Sequence, residues 1–514
     1  MGRSFWRGAA WLTVGSLVSK LLGAVYRIFL PRVLGDAGVG LFQMGYPLYA
    51  VVLTVSVTGI PLALSKMTAE WRAVGREREA DALADWALAG LGLVGISLAA
   101  AMALSSQWVA ATVFHQPRAA LPILALSPAL ALVALESGWR GYFQGRQQMR
   151  PTAVSQIAEQ GVRVVVMFPL ALALAPQGLS AAAAGATAGA PIGAAVGVWY
   201  LARIRRRQRP LWPRAVVPWR GMRRLVVLAA PMAMTALLFP ALLLTDAVLV
   251  PYRLLSVGYS ATAATAAYGR LAGEAMPLVN LTLILGAALG LSVVPAVAAA
   301  LAAGDAGRAR DRVGAALAAI WMVGLPVAGG LLVLAGPLTT LLYGNAGAAL
   351  ALAILCLGAV SLSAQQLLSN ALQAAGRGWI PVVNLLAALG AKVAADWALV
   401  PRCGIEGAAA GTVLAATLAL ALNGWAWRQL AGHPQHRSVR AWAVPLAGTL
   451  LLMGVVRAYL VSPAHLGPAL TVLGPPAATV PTVLAIVVGM LAYAAVVVPL
   501  GGGRLLRLLW QERR

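Results

Sequence analysis

The chain has 514 residues, of which 61% are hydrophobic and 11% charged, and its mean hydropathy is +0.82. A soluble protein carries about a quarter charged residues, so soluble enzymes and secreted disulfide scaffolds are excluded first. Net charge is +24, from 39 Lys and Arg against 15 Asp and Glu, an excess that in a soluble chain would point to nucleic acid. Outer-membrane barrels are excluded next, because their strands alternate apolar and polar residues, whereas this sequence runs continuously apolar through Ala, Leu, Val and Gly. What remains is an all-α polytopic membrane protein.

In chain order, Arg3 and Arg7 precede an apolar stretch that superficially looks like a signal peptide. Ser16, Ser19 and Lys20 interrupt that stretch and no small-residue cleavage site follows, so it reads as a retained first helix. Helices of crossing length are expected near 8–30, 38–64, 84–105, 120–144, 151–175, 179–201, 225–250, 265–300, 313–336, 349–374, 381–400, 405–427, 440–461 and 480–500. These are fourteen, an even number. With a cytoplasmic N-terminus the inner connections hold 28 cations and the outer ones four, namely Arg32, Arg118, Arg253 and Arg402. Such a bias is the positive-inside pattern, so both termini are expected in the cytoplasm, and the basic excess serves topology and anionic lipid rather than nucleic acid.

A repeat with a period near 229 residues organises the chain. Gln144 and Gln373, Phe114 and Tyr343, and Arg163 and Lys392 all differ by 229, and "GLSAAAAG" at 178–185 answers "GIEGAAAG" at 404–411. The expected division is a six-helix lobe at 1–201, a basic cytoplasmic linker at 202–224, a second six-helix lobe at 225–427, and helices 13 and 14 with a basic tail at 428–514. Six is even, so the repeats are parallel, and two such lobes facing each other would enclose a central cavity.

Charges inside a bilayer cost at least about 2.5–3.5 kcal/mol each when isolated, so those within the helices carry information. Four pairs stand at i,i+4: Glu136 with Arg140, Glu159 with Arg163, Arg270 with Glu274, and Lys392 with Asp396. Local neutralisation accounts for such pairs without any further role. Lys20 and Arg27 lack this kind of partner and lie two turns apart on one face; snorkelling is the alternative, better suited to Arg27 than to the deeper Lys20. Unpaired cations in a cavity suit an anionic headgroup such as a phosphate or pyrophosphate. Pro47, Pro61, Pro231, Pro240, Pro277 and Pro326 lie inside apolar segments and permit bends. Neither Cys356 and Cys403 nor the four histidines, His115, His433, His436 and His465, show metal or redox spacing. No metal or cofactor is expected.

The segments "SKLLGAVYRIFLPRVLGDAGVGLFQMGYPLY" (19–49), "TGIPLALSK" (58–66) and "RGYFQGRQQMRPTAVSQIAEQGVR" (140–163) resemble the stage V sporulation protein B and polysaccharide-biosynthesis branch of the multidrug, oligosaccharidyl-lipid and polysaccharide exporter superfamily. That branch is similar to the MurJ-type lipid II flippases. The resemblance implies two six-helix lobes, an alternating-access cavity, and a lipid-tail groove bordered by helices 13 and 14. It implies that Lys20, Arg27 and Arg270 are needed for function; Arg163 is expected to join them at the substrate, with Glu159, Glu274, Lys392, Asp396 and Asp246 as cavity charges. Some MurJ-type proteins bind sodium in the C-terminal lobe; the corresponding residues here are Asp246, Lys392, Asp396 and Thr412, so a lysine stands where those proteins have an asparagine. Helix two, 38–64, carries no charge, unlike the Gram-negative flippases. The expected function is flipping of a lipid-linked glycan, with the lipid-linked peptidoglycan precursor favoured, by a monomer in the cytoplasmic membrane. A drug:cation antiporter of the same superfamily is the alternative. A membrane glycosyltransferase or polymerase is disfavoured, because the longest outer loop, 462–479, holds no Asp or Glu.

Overall fold

The computed structural model describes residues 2–57, 59–208, 219–432, 440–461 and 476–499, and every regular element among them is helical. In chain order these are α1 (Gly2–Val57), α2 (Gly59–Ala73), α3 (Glu77–Trp108), α4 (Ala120–Leu126), α5 (Pro128–Gly145), α6 (Met149–Leu174), α7 (Leu179–Gln208), α8 (Trp219–Ala236), α9 (Leu238–Leu255), α10 (Ala261–Gly269), α11 (Met276–Ala302), α12 (Ala306–Val333), α13 (Ala335–Tyr343), α14 (Ala349–Ala374), α15 (Trp379–Cys403), α16 (Ile405–Ala431), α17 (Arg440–Val461) and α18 (Pro476–Val497). Ten helical stretches among the described residues are long and apolar enough to cross a bilayer. One of them, Leu21–Ala73, has 53 residues, about twice what one crossing needs. Within it the helix breaks at Gly35, whose φ of 64° and ψ of 172° are open only to a residue without a side chain. The chain is thus a multi-pass, all-helical membrane protein.

Several expected single helices are divided. The stretch 120–144 is interrupted at Ser127, ahead of Pro128, and 225–250 at Leu237, ahead of Pro240. Proline accounts for both, since its ring excludes the preceding turn's carbonyl from hydrogen bonding. The stretch 265–300 contains a π-helical segment, Arg270–Ala275. Across that segment, which carries Arg270 and Glu274, the backbone bonds i to i+5 rather than i to i+4. α7 runs on to Gln208, so Arg203, Arg205, Arg206 and Arg207 are helical rather than part of a loop.

The chain divides into two compact units, 1–269 and 270–514. In the first, α1 packs on α6, α7, α9 and α10, and α6 pairs extensively with α7. A ridge of glycines makes that pairing close. A Cβ on Gly185 would come 2.6 Å from the Leu170 carbonyl oxygen, on Gly189 2.9 Å from that of Arg163, and on Gly193 2.5 Å from that of Glu159. In a bilayer, where apolar surface gives helices no reason to associate, such small-residue contact is the main source of packing energy. Tyr26, Leu30, Phe42, Met167, Ala182 and Ala186 fill the core between α1, α6 and α7. A second core joins α2, α3, α5, α7 and α8 through Leu64, Met67, Leu83, Tyr142 and Leu201.

In the second unit α14 is central, packing on α11, α12 and α16, while α15 pairs with α16. Gly407 repeats the glycine contact, with a Cβ there meeting the Leu399 carbonyl carbon at 2.6 Å. α17 and α18 pack on each other and on α12. The order of elements repeats as well: Phe114 and Tyr343 are both buried, at 0% and 4% exposure, and α5 and α14 end at Gly145 and Ala374, positions 229 apart.

Candidate substrate and coupling sites

In the first unit α5 presents Glu136 and Arg140 one turn apart, and α6 presents Ser155, Glu159 and Arg163 at the same spacing. Arg140 bridges the helices: its Nη2 donates to Glu136 Oε1 at 2.5 Å and to Glu159 Oε2 at 2.9 Å, while its Nε donates to Ser155 Oγ at 3.0 Å. Glu136 is fully buried, and α7 makes room for it, since a Cβ on Gly197 would collide with Glu136 Oε1. Both carboxylates are therefore held by Arg140, which leaves Arg163 loosely tied. Its Nη2 stands 3.9 Å from Glu159 Oε1, and its buried Nε has no hydrogen-bond partner among the described residues.

From α1 come Tyr26, Arg27, Tyr46 and Tyr49. The three tyrosines lie close enough to Arg163 to interact with it electrostatically, and Arg27 Cζ is 5.9 Å from the Tyr26 ring centre. Phe42 and Tyr46 stack with centroids 4.8 Å apart. Arg140 and Arg163 thus meet Glu136 and Glu159, and Arg27, beside Tyr26 and near Arg163, adds one positive charge in excess. An excess cation beside aromatic walls inside a membrane fits an anionic ligand, and guanidinium suits a phosphate because it can donate two parallel bonds. The backbone of Lys20 belongs to α1, but its side chain lies outside the described residues.

In the second unit Lys392 and Asp396 of α15 and Thr412 of α16 come together. Lys392 Nζ is 3.0 Å from Asp396 Oδ2, and it donates to Thr412 Oγ1 at 2.9 Å and to the Ala408 carbonyl at 3.5 Å. The side chains of Lys392 and Asp396 are wholly buried. An ammonium among a carboxylate, a hydroxyl and a carbonyl occupies the kind of oxygen cage that a monovalent cation would take. Asp246 is buried on α9 in the first unit, 3% exposed. Arg270 opens the π-helical segment, its Cδ packed so closely on Gly347 that a Cβ there would come within 2.5 Å. Glu274, in the same segment, is fully buried, and its carbonyl accepts a bond from the Tyr343 hydroxyl at 3.1 Å. π-helical turns inside α-helices are frequent at functional positions.

Two features had no counterpart in the sequence reading. Arg205, 1% exposed, donates from Nη2 to both carboxylate oxygens of Asp85 at 2.9 and 3.1 Å, with its Cζ 4.8 Å from the Tyr142 ring centre. Tyr142 in turn donates to Asp81 Oδ1 at 2.7 Å, which Arg146 also reaches at 3.1 Å. This network ties α3, α5 and α7 together at the ends bordering the basic segment. The second is a cavity of about 540 Å³ lined by apolar side chains, among them Met322, Pro326, Leu452, Val456 and Met490, between α12 and the pair α17 and α18. The one hydroxyl on its wall, that of Tyr493, is turned to the Met322 carbonyl.

His115 occupies a turn with φ of 51° and stacks on Tyr252 at 4.8 Å. Cys356 is buried in α14, and Cys403 is exposed at the end of α15. His433, His436 and His465 lie outside the described residues.

The chain is similar to stage V sporulation protein B of Bacillus subtilis (strain 168), 27% identical over 429 residues that cover 82% of this chain and 83% of that protein. It is also similar to the lipid II flippase MurJ of the same organism, 27% identical over 368 residues and 67% of each chain. Among solved structures it matches lipid II flippase MurJ in an inward closed conformation with a TM-score of 0.68 at 12% identity, covering 95% of this chain and 99% of that one. The fold is therefore MurJ-like. Residues 5–300 match the family described as polysaccharide biosynthesis protein, and the chain belongs to that family.

Proposed function

We propose that the protein flips a polyprenyl-pyrophosphate-linked glycan from the inner to the outer leaflet by alternating access, with the peptidoglycan precursor lipid II as its substrate. The observation that carries this reading is the excess cation of the first unit: Arg140 already holds both carboxylates, and Arg163 stands 3.9 Å from the nearer one with a buried Nε unbonded among the described residues. A pyrophosphate supplies the charge and acceptors that Arg27 and Arg163 would take. The apolar cavity beside α17 and α18 suits the polyprenyl tail. Lys20 and Arg270 complete the set of headgroup cations, and the chain works as a monomer crossing a bacterial cytoplasmic membrane fourteen times with both termini inside. Its job is transport rather than catalysis.

Alanine at Lys20, Arg27 or Arg270 tests this in cells that depend on the protein. Each variant should reach the membrane yet fail to support growth. Arg270→Lys should retain little activity, because a point charge does not reproduce a bidentate guanidinium contact. Full activity of the Lys20→Ala, Arg27→Ala double variant would overturn the assignment.

A further inference from the structure

α14 carries a stripe of neutral hydrogen-bonding side chains on an otherwise apolar helix. Gln365, Ser369 and Gln373 recur every four residues, and Gln366 and Asn370 form the adjoining column. On the other side of the helix Leu367, Leu368, Ala371 and Leu372 are buried. A chain of hydrogen bonds anchors the stripe: Asn384 Nδ2 of α15 donates to Asn423 Oδ1 of α16 at 2.9 Å, Asn423 Nδ2 donates to Ser369 Oγ at 3.0 Å, and Ser369 Oγ donates to Gln365 Oε1 at 3.5 Å. Each link points the same way. The chain therefore ends in the unused amide N–H groups of half-buried Gln365 and, at its other end, in the unused carbonyl of half-buried Asn384. Gln366, Asn370 and Gln373 are half-buried and make no side-chain hydrogen bond among the described residues.

Polar side chains within a membrane span are costly unless a polar partner meets them. Here several amides are left over after the internal chain is complete. The repeat sharpens their meaning. Of the positions 229 earlier, Glu136 and Arg140 on α5 are charged, Ser155 on α6 accepts from Arg140, and Gln144 is an amide like its counterpart Gln373, whereas Gln365, Ser369, Gln373 and Asn384 are all neutral. The same framework thus carries charge in one unit and amides in the other. An amide offers a donor and an acceptor in one plane and cannot be ionised, which matches neighbouring sugar hydroxyls, each both donor and acceptor, and gives a pyrophosphate nothing in preference to water.

We propose that this amide stripe, Gln365, Gln366, Asn370, Gln373 and Asn384, is the subsite that recognises the neutral glycan of the lipid-linked substrate. This rests on the flippase reading and adds to it the residues that distinguish a glycosylated lipid from its bare carrier.

The test measures binding of two probes, lipid II and undecaprenyl pyrophosphate, to the full-length protein in nanodiscs. The variants are Gln366→Leu with Asn370→Leu, and Gln373→Leu, none of which breaks the internal hydrogen-bond chain. Wild type should bind lipid II more tightly than undecaprenyl pyrophosphate. The double variant should lose about thirtyfold in lipid II affinity, as expected for two neutral hydrogen bonds, with undecaprenyl pyrophosphate affinity unchanged, and Gln373→Leu should show a smaller loss of the same selectivity. Equal wild-type affinity for both probes, an equal loss on both, or no loss on either would overturn the subsite while leaving pyrophosphate binding, and with it the flippase reading, in place. Wild type binding neither probe would overturn both.

Discussion

Lys392 and Asp396 offer the sharpest physical test of the second unit. Both side chains are fully buried, their charged atoms 3.0 Å apart, and Lys392 takes further oxygens from Thr412 at 2.9 Å and the Ala408 carbonyl at 3.5 Å. Lys392→Met removes the ammonium but leaves a carboxylate with no route to water. Breaking one side of a buried pair costs about 3–5 kcal/mol, because the survivor keeps its desolvation penalty and loses its compensation. Asp396→Leu should cost a comparable amount for the mirrored reason. The double variant Lys392→Met, Asp396→Leu removes both penalties and packs the site with apolar groups of similar volume, so it should return to within about 1 kcal/mol of wild type or exceed it. Unfolding free energies of the four proteins in mixed micelles give the coupling directly. A Lys392→Met variant within about 1 kcal/mol of wild type, or a double variant as unstable as the sum of the singles, would refute the buried pair.

Gly197→Ala should destabilise the first unit by about 1–3 kcal/mol, since the new Cβ would collide with Glu136 Oε1; Gly390→Ala, where a Cβ would meet nothing within 4 Å, should leave the melting temperature unchanged or raise it. Because the Lys392 ammonium already fills an oxygen cage, transport should persist when sodium is replaced by potassium, and Lys392→Asn should acquire a sodium requirement; sodium-dependent wild-type activity would reject this. In a background lacking Cys356 and Cys403, a cysteine at Ser462 should react with an impermeant thiol reagent from outside and one at Ser438 should not; the opposite pattern would invert the orientation.

Helical periodicity explains which parts of the site could be read in advance. Glu136 with Arg140, Glu159 with Arg163, and Lys392 with Asp396 are neighbours because an α-helix places i and i+4 on one face, and the structure has all three. Arg140 spanning to Glu159 depends on how closely α5 approaches α6, a tertiary quantity that no local spacing encodes. The run Arg205, Arg206 and Arg207 read as a solvated basic loop, yet successive helical residues point about 100° apart, and the first of the three turns inward to Asp85. The π-helical segment at Arg270–Ala275 carries no composition signal. The amide stripe of α14 carries no charge, so the cost of charge within a bilayer, which marks the other site residues, does not single it out. Breaks at Ser127 and Leu237 divide stretches whose hydropathy is continuous, which is why crossing lengths alone give single helices there.

The central claim is tested most directly in a cell whose only lipid II flippase has been replaced by this gene, by measuring the amount of lipid II accessible at the outer leaflet. The account expects growth and an outer-leaflet pool that collapses when Arg27 and Arg163 are both changed to alanine with the protein still present in the membrane. A wild-type protein that inserts fully while lipid II accumulates in the inner leaflet and none reaches the outer one would contradict it.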